Sequence, residues 1–313
     1  MSRYKVVVSD QVFPTVDLER ELLAGIDAEL LVAQGPMEQV LQMAGDADAI
    51  LNTYLPWDGP AIAQLAKCKI IARYGIGYDN VDLEAAAARG IVVTNVPDYS
   101  VEEVATHALA LILGLTRKLN AADQKVRNGG WGLDGLRPIR RLSTMTVGLV
   151  GYGRIGRRIA APLQALGAGI IVYDPYLSPA DDLPPLVSLE ELLSSADLVS
   201  LHLPLTPETR GMIDESALAG MKPGSILVNT SRGPLVELEA VVKALESGHL
   251  AGAGLDVFDT EPLDPARIEG VPNLVATPHM AYYSEEALQE SQRKATTQVI
   301  KVLTGEAPDY RVN

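Results

Sequence analysis

The residues best suited to chemistry lie in the second half of the sequence, at the ends of apolar runs. Arg232 follows "SILVNTS", Glu261 lies in "FDTEP" five residues after Asp256 closes "AGAGLDV", and His279 follows "LVATP". Hydride transfer between a nicotinamide and a carbonyl needs a proton donor, a polarising cation and an anion that tunes the donor. His279, Arg232 and Glu261 supply these in turn, since a neighbouring carboxylate favours the protonated imidazole.

Each of these residues also has an ordinary structural explanation. Arg232 could be a surface cation ahead of a helix, Glu261 a solvated turn residue before Pro262, and His279 a buried histidine bonded to backbone. Their shared placement at strand ends favours the catalytic interpretation, because the carboxyl edge of a parallel sheet gathers such groups.

A glycine-rich turn is the strongest local motif. Gly151, Gly153 and Gly156 have the spacing G-x-G-x-x-G between the valine-rich "TVGLVG" and a helical pattern. The glycines allow a tight turn, a close approach of a pyrophosphate and close helix packing, and the helix amino terminus offers free N–H groups. Asp174 closes the next strand, where a carboxylate accepts hydrogen bonds from a ribose and repels a 2′-phosphate. This context predicts a dinucleotide, with NAD preferred over NADP.

Two further stretches could contact ligands. "YGIGYDN" follows a strand, and the backbone amides around Gly75, Ile76 and Gly77 suit a small anion. His202 in "LHLPLT" could line the cofactor groove, although its loop context favours a structural role. We include His202 among the candidate cofactor contacts.

The composition excludes several classes of function. The 313 residues include 40 acidic and 26 basic side chains, a formal charge of -14, so we expect no direct nucleic-acid partner and no binding to anionic membranes. The single cysteine, Cys68, and the absence of a leader-like segment after the first residues favour the cytoplasm. No clustered His/Cys spacing occurs, and we expect no catalytic metal.

The order of elements predicts an α/β fold with two doubly wound parallel sheets. Short apolar runs alternate with helical patterns, which is typical of βαβ units. The predicted strands are "YKVVVS", "ADAIL", "KIIARY", "GIVVTN", "TVGLVG", "GIIVYD", "DLVSLHL", "SILVNT", "AGAGLDV" and "NLVATP". Ser100 and Glu103 have the spacing of a capping box before a long apolar helix, and a final helix is predicted from Ser284 to Gly305.

Together these motifs resemble the D-isomer-specific 2-hydroxyacid dehydrogenases along essentially the whole chain. The stretches that carry the resemblance are "GYGRIG", "YDPY", "HLPLTPETRGMI", "MKPGSILVNTSRGPLV", "AGAGLDVFDTEPL" and "NLVATPHMA". The resemblance implies two Rossmann/flavodoxin-like domains: a discontinuous substrate domain, residues 1–98 plus 285–313, and an NAD-binding domain, residues 99–284. It also implies a homodimer formed through the cofactor domain.

The same resemblance assigns the site residues. It implies that Arg232, Glu261 and His279 are the catalytic set and that residues 75–77 bind the substrate carboxylate. Beside Gly151 and Gly156 of the glycine motif, the cofactor contacts that it implies are Tyr152, Gly153, Arg154, Ile155, Asp174, Thr206 and Asp256.

Within the family, "RYGIGYDNVD" and "NVPDYSVEEVA" look closest to the C-terminal binding protein branch, which carries tryptophan where Tyr282 stands here. Phosphoglycerate dehydrogenases are also similar, and we do not expect the regulatory domain that many of them append. The expected activity is NAD-dependent reduction of a small 2-oxo acid to a D-2-hydroxy acid, and the reverse. The alternative is an NAD(H)-sensing interaction protein with a weak dehydrogenase site.

Overall fold

A computed structural model describes residues 3–313, which form two compact units. The first contains the described residues up to Tyr99 together with Ser284–Asn313, and the second is Ser100–Tyr283. The strands are β1 (Tyr4–Val8), β2 (Ala28–Val32), β3 (Ala49–Asn52), β4 (Ile70–Arg73), β5 (Val92–Thr94), β6 (Thr146–Val150), β7 (Gly169–Tyr173), β8 (Leu198–Leu201), β9 (Ser225–Asn229), β10 (Leu250–Leu255) and β11 (Leu274–Ala276). The α-helices are α1 (Asp17–Ala24), α2 (Met37–Ala44), α3 (Gly59–Ala63), α4 (Leu83–Ala88), α5 (Val101–Thr116), α6 (Leu119–Arg127), α7 (Arg154–Ala165), α8 (Leu189–Ser195), α9 (Glu215–Gly220), α10 (Leu238–Glu246) and α11 (Glu285–Thr304).

The first unit is built on one parallel sheet with the strand order β2-β1-β3-β4-β5. This is the flavodoxin-like order, in which the chain changes direction across the sheet between β1 and β3. The central strands β3 and β4 are buried at every residue, as expected for a sheet covered on both faces. Strand β2 was not predicted from the sequence; it is an edge strand that is only half-buried and pairs with β1 alone.

The carboxyl-terminal segment completes the first unit. In α11 the Gln292 amide donates to both carboxylate oxygens of Glu19 in α1, at 3.0 and 2.9 Å, and Glu19 is fully buried. The Asn313 side chain accepts from the Val93 amide and donates to the Ile91 carbonyl, both at 2.8 Å. The last thirty residues of the sequence therefore close the core and the edge of a unit that residues 3–99 begin.

The ends of the long helices test the capping predictions. Ser284 accepts from the Ala287 amide at 2.9 Å, and Gly305 ends α11 in the left-handed conformation, so both predicted ends of this helix are confirmed. The capping-box prediction for Ser100 is wrong. Ser100 precedes α5, but its hydroxyl caps no amide of the helix and is buried without a hydrogen-bond partner.

The second unit is built on a six-stranded parallel sheet with the order β11-β10-β9-β8-β6-β7. A single parallel bridge between Val172 and Leu186 adds a further position beyond β7 and gives the full dinucleotide-binding order. The chain changes direction between β6 and β8, and the glycine-rich turn follows β6. Both units thus have the doubly wound parallel architecture that the sequence predicts.

Residues 3–313 lack two kinds of feature. None of the helices described there has the length and apolar character needed to cross a bilayer. That part of the chain also contains no group of three or more His, Cys, Asp or Glu side chains arranged to hold a metal ion.

Candidate active site

The glycine-rich turn between β6 and α7 is shaped by three different constraints. Gly151 has φ +93°, and a methyl group in place of its hydrogen would lie 2.3 Å from the His202 carbonyl oxygen. A methyl group on Gly156 would lie 2.5 Å from the Gly151 carbonyl oxygen, so the first turn of α7 packs directly on the glycine turn. A methyl group on Gly153 would meet no atom of the protein within 4 Å. The protein's own packing therefore requires glycine at Gly151 and Gly156 but not at Gly153.

The groups around this turn suit a dinucleotide. Gly153 directly precedes α7, which begins with Arg154 and Ile155. No side chain caps the amides of this first helical turn. The Asp174 carboxylate accepts from the Tyr152 amide at 2.9 Å and from the Tyr176 amide at 3.0 Å. These bonds fix a carboxylate at the end of β7, beside the amino terminus of α7, where it can receive ribose hydroxyls.

The loop after β8 carries two of the predicted cofactor residues. His202 Nε2 lies 2.9 Å from the Ser200 hydroxyl, and its Nδ1 is shielded from solvent without a hydrogen-bond partner. Desolvation of the ring lowers the pKa of His202 to about 3. The Thr206 amide donates to the Thr209 hydroxyl at 2.8 Å, which holds a tight turn. The cofactor contacts of His202 and Thr206 stay predictions.

Arg232 is held by the backbone of the loop that follows β9. Asn229, the last residue of β9, donates from its amide to the Arg232 carbonyl at 2.8 Å and accepts from the Ser231 amide at 3.0 Å. A methyl group on Gly233 would lie within 2 Å of the Phe258 carbonyl group. The loop that carries Arg232 is therefore packed, backbone on backbone, against the loop that follows β10.

Asp256 anchors the segment that carries the predicted catalytic histidine. Its carboxylate is fully buried and accepts from the Thr277 hydroxyl (2.6 Å), the Met280 amide (2.9 Å) and the Ala281 amide (2.9 Å). The Thr277 oxygen lies 3.0 Å from His107 Nε2, so His107 also supports this network from α5. The geometry shows that Asp256 tethers this segment, and its predicted contact with the cofactor stays a prediction.

His279 and Glu261 form a direct pair. His279 Nδ1 lies 2.7 Å from Glu261 Oε2, and Glu261 Oε1 accepts from the Phe258 amide at 2.8 Å. His279 has φ +52°, a left-handed conformation in which its amide donates to the Asp256 carbonyl at 2.7 Å. Burial alone would raise the pKa of Glu261, but the hydrogen bond and charge of His279, the Phe258 amide and the Arg232 charge together lower it. The carboxylate is therefore the stable form of Glu261.

The loop of residues 75–77 in the first unit has its own fixed geometry. Its carbonyl oxygens accept, in chain order, from the Val96 amide (3.0 Å), the Asn95 side chain (2.7 Å) and Arg73 Nε (2.8 Å). Because the peptide bonds are trans, the Ile76 and Gly77 amides point away from the donors that the Gly75 and Ile76 carbonyls face. No hydrogen bond within residues 3–313 uses the amides of Gly75, Ile76 or Gly77. Anion binding by these amides stays a prediction.

The structure thus brings Arg232, Glu261 and His279 to loops at the carboxyl edge of one sheet, the sheet that also carries the glycine turn. Sequence reasoning missed the residues that hold them. The position of Asn229, directly before "TSRG" at a strand end, could have pointed to its role. His107 gave no such signal, because its partner Thr277 lies 170 residues away.

Comparison with known proteins gives a family for this chain. Residues 109–281 match the family described as "D-isomer specific 2-hydroxyacid dehydrogenase, NAD binding domain". The chain belongs to the D-isomer-specific 2-hydroxyacid dehydrogenase family. The matched residues, which include the glycine turn and the His279 loop, are its NAD-binding domain, and NAD is the family's cofactor.

The matched relatives are named for different enzyme activities. The D-3-phosphoglycerate dehydrogenase of Mycobacterium tuberculosis is 39% identical over 318 residues, which cover all of this chain and 59% of that protein. The glyoxylate reductase of Thermococcus litoralis is 38% identical over 288 residues, covering 89% of this chain and 87% of that protein. The D-lactate dehydrogenase of Aquifex aeolicus, crystallised with NAD and lactic acid, is 30% identical with a TM-score of 0.89 and 98% coverage of both chains.

The chain spans about three-fifths of the length of the phosphoglycerate dehydrogenases that it matches. These relatives do not specify the C-terminal binding protein branch, so that finer placement stays a prediction.

Proposed function

We propose that the chain is an NAD-dependent dehydrogenase that reduces a small 2-oxo acid to a D-2-hydroxy acid and catalyses the reverse reaction. The observation that carries the proposal is the 2.7 Å pair between His279 Nδ1 and Glu261 Oε2. This pair lies in the same unit as Arg232, and the Arg232 charge acts on the Glu261 carboxylate. An imidazole, a carboxylate and a guanidinium in this relation suit proton transfer to a carbonyl oxygen.

NADH, when bound, supplies the hydride to the carbonyl carbon. In the reducing direction His279 donates a proton to the substrate oxygen from Nε2, because Nδ1 is engaged with Glu261. Glu261 orients the ring and stabilises its protonated form. Arg232 polarises the carbonyl and pairs with the substrate carboxylate. Binding of a small anion by the amides of residues 75–77 is a separate prediction for the first unit.

The residues of the glycine turn fit the cofactor. Gly153 has space where a methyl group would meet no protein atom, the amides at the start of α7 are uncapped, and the Asp174 carboxylate is fixed beside them. The amides would hold a pyrophosphate and Asp174 a ribose. The negative charge of Asp174 supports a preference for NAD over NADP, since a 2′-phosphate would face a like charge.

A homodimer formed through the second unit is part of the same proposal. The segment after α6 is solvent-exposed and apolar: Trp131 is 85% exposed and Leu133 is 55% exposed. An apolar surface of this kind favours association with a second copy. A cytoplasmic location also stays a prediction.

The proposal is tested with His279→Ala and Arg232→Ala. We expect both variants to lose turnover of glyoxylate, pyruvate and hydroxypyruvate while they still bind NADH, measured by kinetics and by fluorescence titration. His249→Gln is the matched control, because His249 contacts the Leu218 carbonyl and contacts none of these three residues. Near-wild-type turnover in either alanine variant would refute the assigned roles.

Assays of the wild-type protein distinguish a dehydrogenase from an NAD(H)-sensing interaction protein. A dehydrogenase consumes NADH with at least one member of a panel of 2-oxo acids. An NAD(H)-sensing interaction protein would bind NADH with similar affinity but leave every member of the panel unreduced.

A further inference from the structure

Helix α5 packs closely on strand β10 because the strand has glycine where the helix crosses it. A methyl group on Gly254 would lie 3.1 Å from the Leu115 side chain and 3.2 Å from the Leu111 side chain. His107 lies four residues before Leu111, one helical turn earlier on the same face of α5. This turn brings His107 Nε2 within 3.6 Å of Asp256 Oδ1, directly after the end of β10.

His107, Thr277 and Asp256 form a chain of hydrogen bonds with a fixed direction. The Thr277 hydroxyl lies 2.6 Å from Asp256 Oδ1, which also accepts from the Met280 amide at 2.9 Å. A hydroxyl has one proton, and Thr277 gives it to this carboxylate. His107 Nε2 lies 3.0 Å from the same hydroxyl oxygen and must therefore carry a proton and donate to it. Either the neutral ring with its proton on Nε2 or the protonated ring meets this requirement.

The carboxylate at the end of this chain fixes the backbone around His279. Asp256 Oδ2 accepts from the Ala281 amide at 2.9 Å, and the Asp256 carbonyl accepts from the His279 amide at 2.7 Å. His279 has φ +52°, which is unfavourable for a residue with a side chain, and these bonds hold it there. The 2.7 Å contact between the imidazole and Glu261 therefore depends on the orientation of Asp256.

Burial makes that orientation sensitive to each donor. The Asp256 carboxylate is fully buried, and a buried carboxylate is unfavourable unless donors occupy its oxygens. The His107 side chain is 19% exposed, so little water can take the place of its ring. A lost donor at His107 would leave the Thr277 hydroxyl with one partner in place of two.

On the basis of the proposed function, we infer that His107 is a positioning residue for His279. It acts through the Thr277 hydroxyl and the Asp256 carboxylate, which hold the backbone of residues 277–281. Without its donor the His279 ring would spend less time in the geometry that proton transfer requires. Arg232 lies on a different loop, held by Asn229, and would still pair with the substrate carboxylate.

Two substitutions of His107 separate its donor from its shape. His107→Phe keeps a planar ring and removes the donor, whereas His107→Gln keeps an N–H donor at about the same reach. We expect His107→Phe to lower kcat for glyoxylate or hydroxypyruvate by about tenfold, with KM changed by less than about twofold. His107→Gln should keep kcat within about twofold of the wild-type value. Urea unfolding of the same samples checks that each variant is folded.

A double-mutant cycle tests the route through Thr277. Thr277→Val keeps the branched shape of the side chain and removes the hydroxyl. Adding His107→Phe to Thr277→Val should lower kcat no further, because the hydroxyl that joins the two sites is already absent. A further tenfold loss in the double variant would show a different route and overturn the inference.

The ring nitrogens of His279 provide a measurement that needs no turnover. The sequence has four histidines, so the signals of 15N-histidine-labelled protein can be assigned by removing one histidine at a time. We expect a proton on Nε2 of His107. The His279 signals should shift in His107→Phe and stay in place in His107→Gln and in the control His249→Gln.

Each result bears on a separate claim. An unprotonated Nε2 at His107, or unchanged His279 signals in His107→Phe, would overturn the inference and leave the proposed dehydrogenase intact. Equal losses of kcat in His107→Phe and His107→Gln would also overturn it, since the shape of the ring rather than its donor would then matter. Failure of the wild type to reduce any 2-oxo acid would refute the proposed function, and the nitrogen signals would still decide whether His107 positions His279.

Discussion

The Gly153→Ala variant should separate cofactor binding from folding. Gly153 has φ -75° and ψ -154°, which an alanine can adopt, and the added methyl group would meet no protein atom within 4 Å. Stability should fall by only about 0.5–1 kcal/mol, because alanine is a poorer residue than glycine just before a helix. A pyrophosphate seated on these amides would be pushed away by the methyl group.

The magnitude of the binding defect follows from the hydrogen bonds at stake. A bond to a charged group contributes about 1.5–3 kcal/mol, and loss of two such bonds amounts to about 3 kcal/mol or more. The Kd for NADH should therefore rise by more than about 100-fold. Fluorescence titration with NADH measures the Kd, and urea unfolding of the same samples measures the free energy of unfolding.

Two other glycine variants serve as controls. In Gly156→Ala the methyl group would lie 2.5 Å from the Gly151 carbonyl oxygen, so this variant should lose stability, by about 1–3 kcal/mol, as well as affinity. Gly114→Ala, inside α5, places its methyl group in open space and should raise stability by about 1 kcal/mol with an unchanged Kd. A wild-type Kd in Gly153→Ala would refute the idea that a bound pyrophosphate is the reason for glycine there.

Three other perturbations have defined outcomes. Asp174→Ser should weaken NADH binding. The ratio of the Kd for NADPH to the Kd for NADH should fall by about tenfold or more, because the carboxylate that repels the 2′-phosphate is lost; an unchanged ratio would contradict this assignment. The His202 pKa, about 3 in the folded chain against 6.5 unfolded, means that only the unfolded state takes up this proton as the pH falls below 6.5. This group should lower the free energy of unfolding by about 1.4 kcal/mol for each unit by which the pH falls below 6.5. His202→Gln should flatten this dependence on pH, measured by urea unfolding; an equal slope in both proteins would show that the ring is not the cause. Trp131→Asp should convert a dimer into a monomer in light scattering, and a wild-type mass would place the interface elsewhere.

Much of the second unit could be predicted because its signals are local. The turn from Gly151 to Gly156 and the acid Asp174 lie within one βαβ unit, and each strand end that carries Arg232, Glu261 or His279 follows a distinct apolar run. Parallel topology brings separate strand ends to one edge, so correct strands were enough to predict a shared edge.

The rest depended on partners distant in sequence. Strand β2 was missed because "AELLV" lies at an edge, half-exposed, and has neither strict alternation nor a continuous apolar pattern. The prediction that Ser100 caps α5 was wrong because the spacing of Ser100 and Glu103 does not determine the orientation of the Ser100 hydroxyl in the fold. The bonds from Asp10 to the loop that begins at Thr53 span more than forty residues, and no local pattern predicts them.

The two-segment construction of the first unit bears on the order in which the chain folds during synthesis. Glu19 emerges from the ribosome near the start of translation, but its partner Gln292 is made 273 residues later. The second unit, Ser100–Tyr283, is contiguous and can complete its sheet before that. Part of the core of the amino-terminal segment therefore stays uncovered until α11 leaves the exit tunnel. During this interval the segment is the most exposed part of the nascent polypeptide and the part to which chaperones would bind.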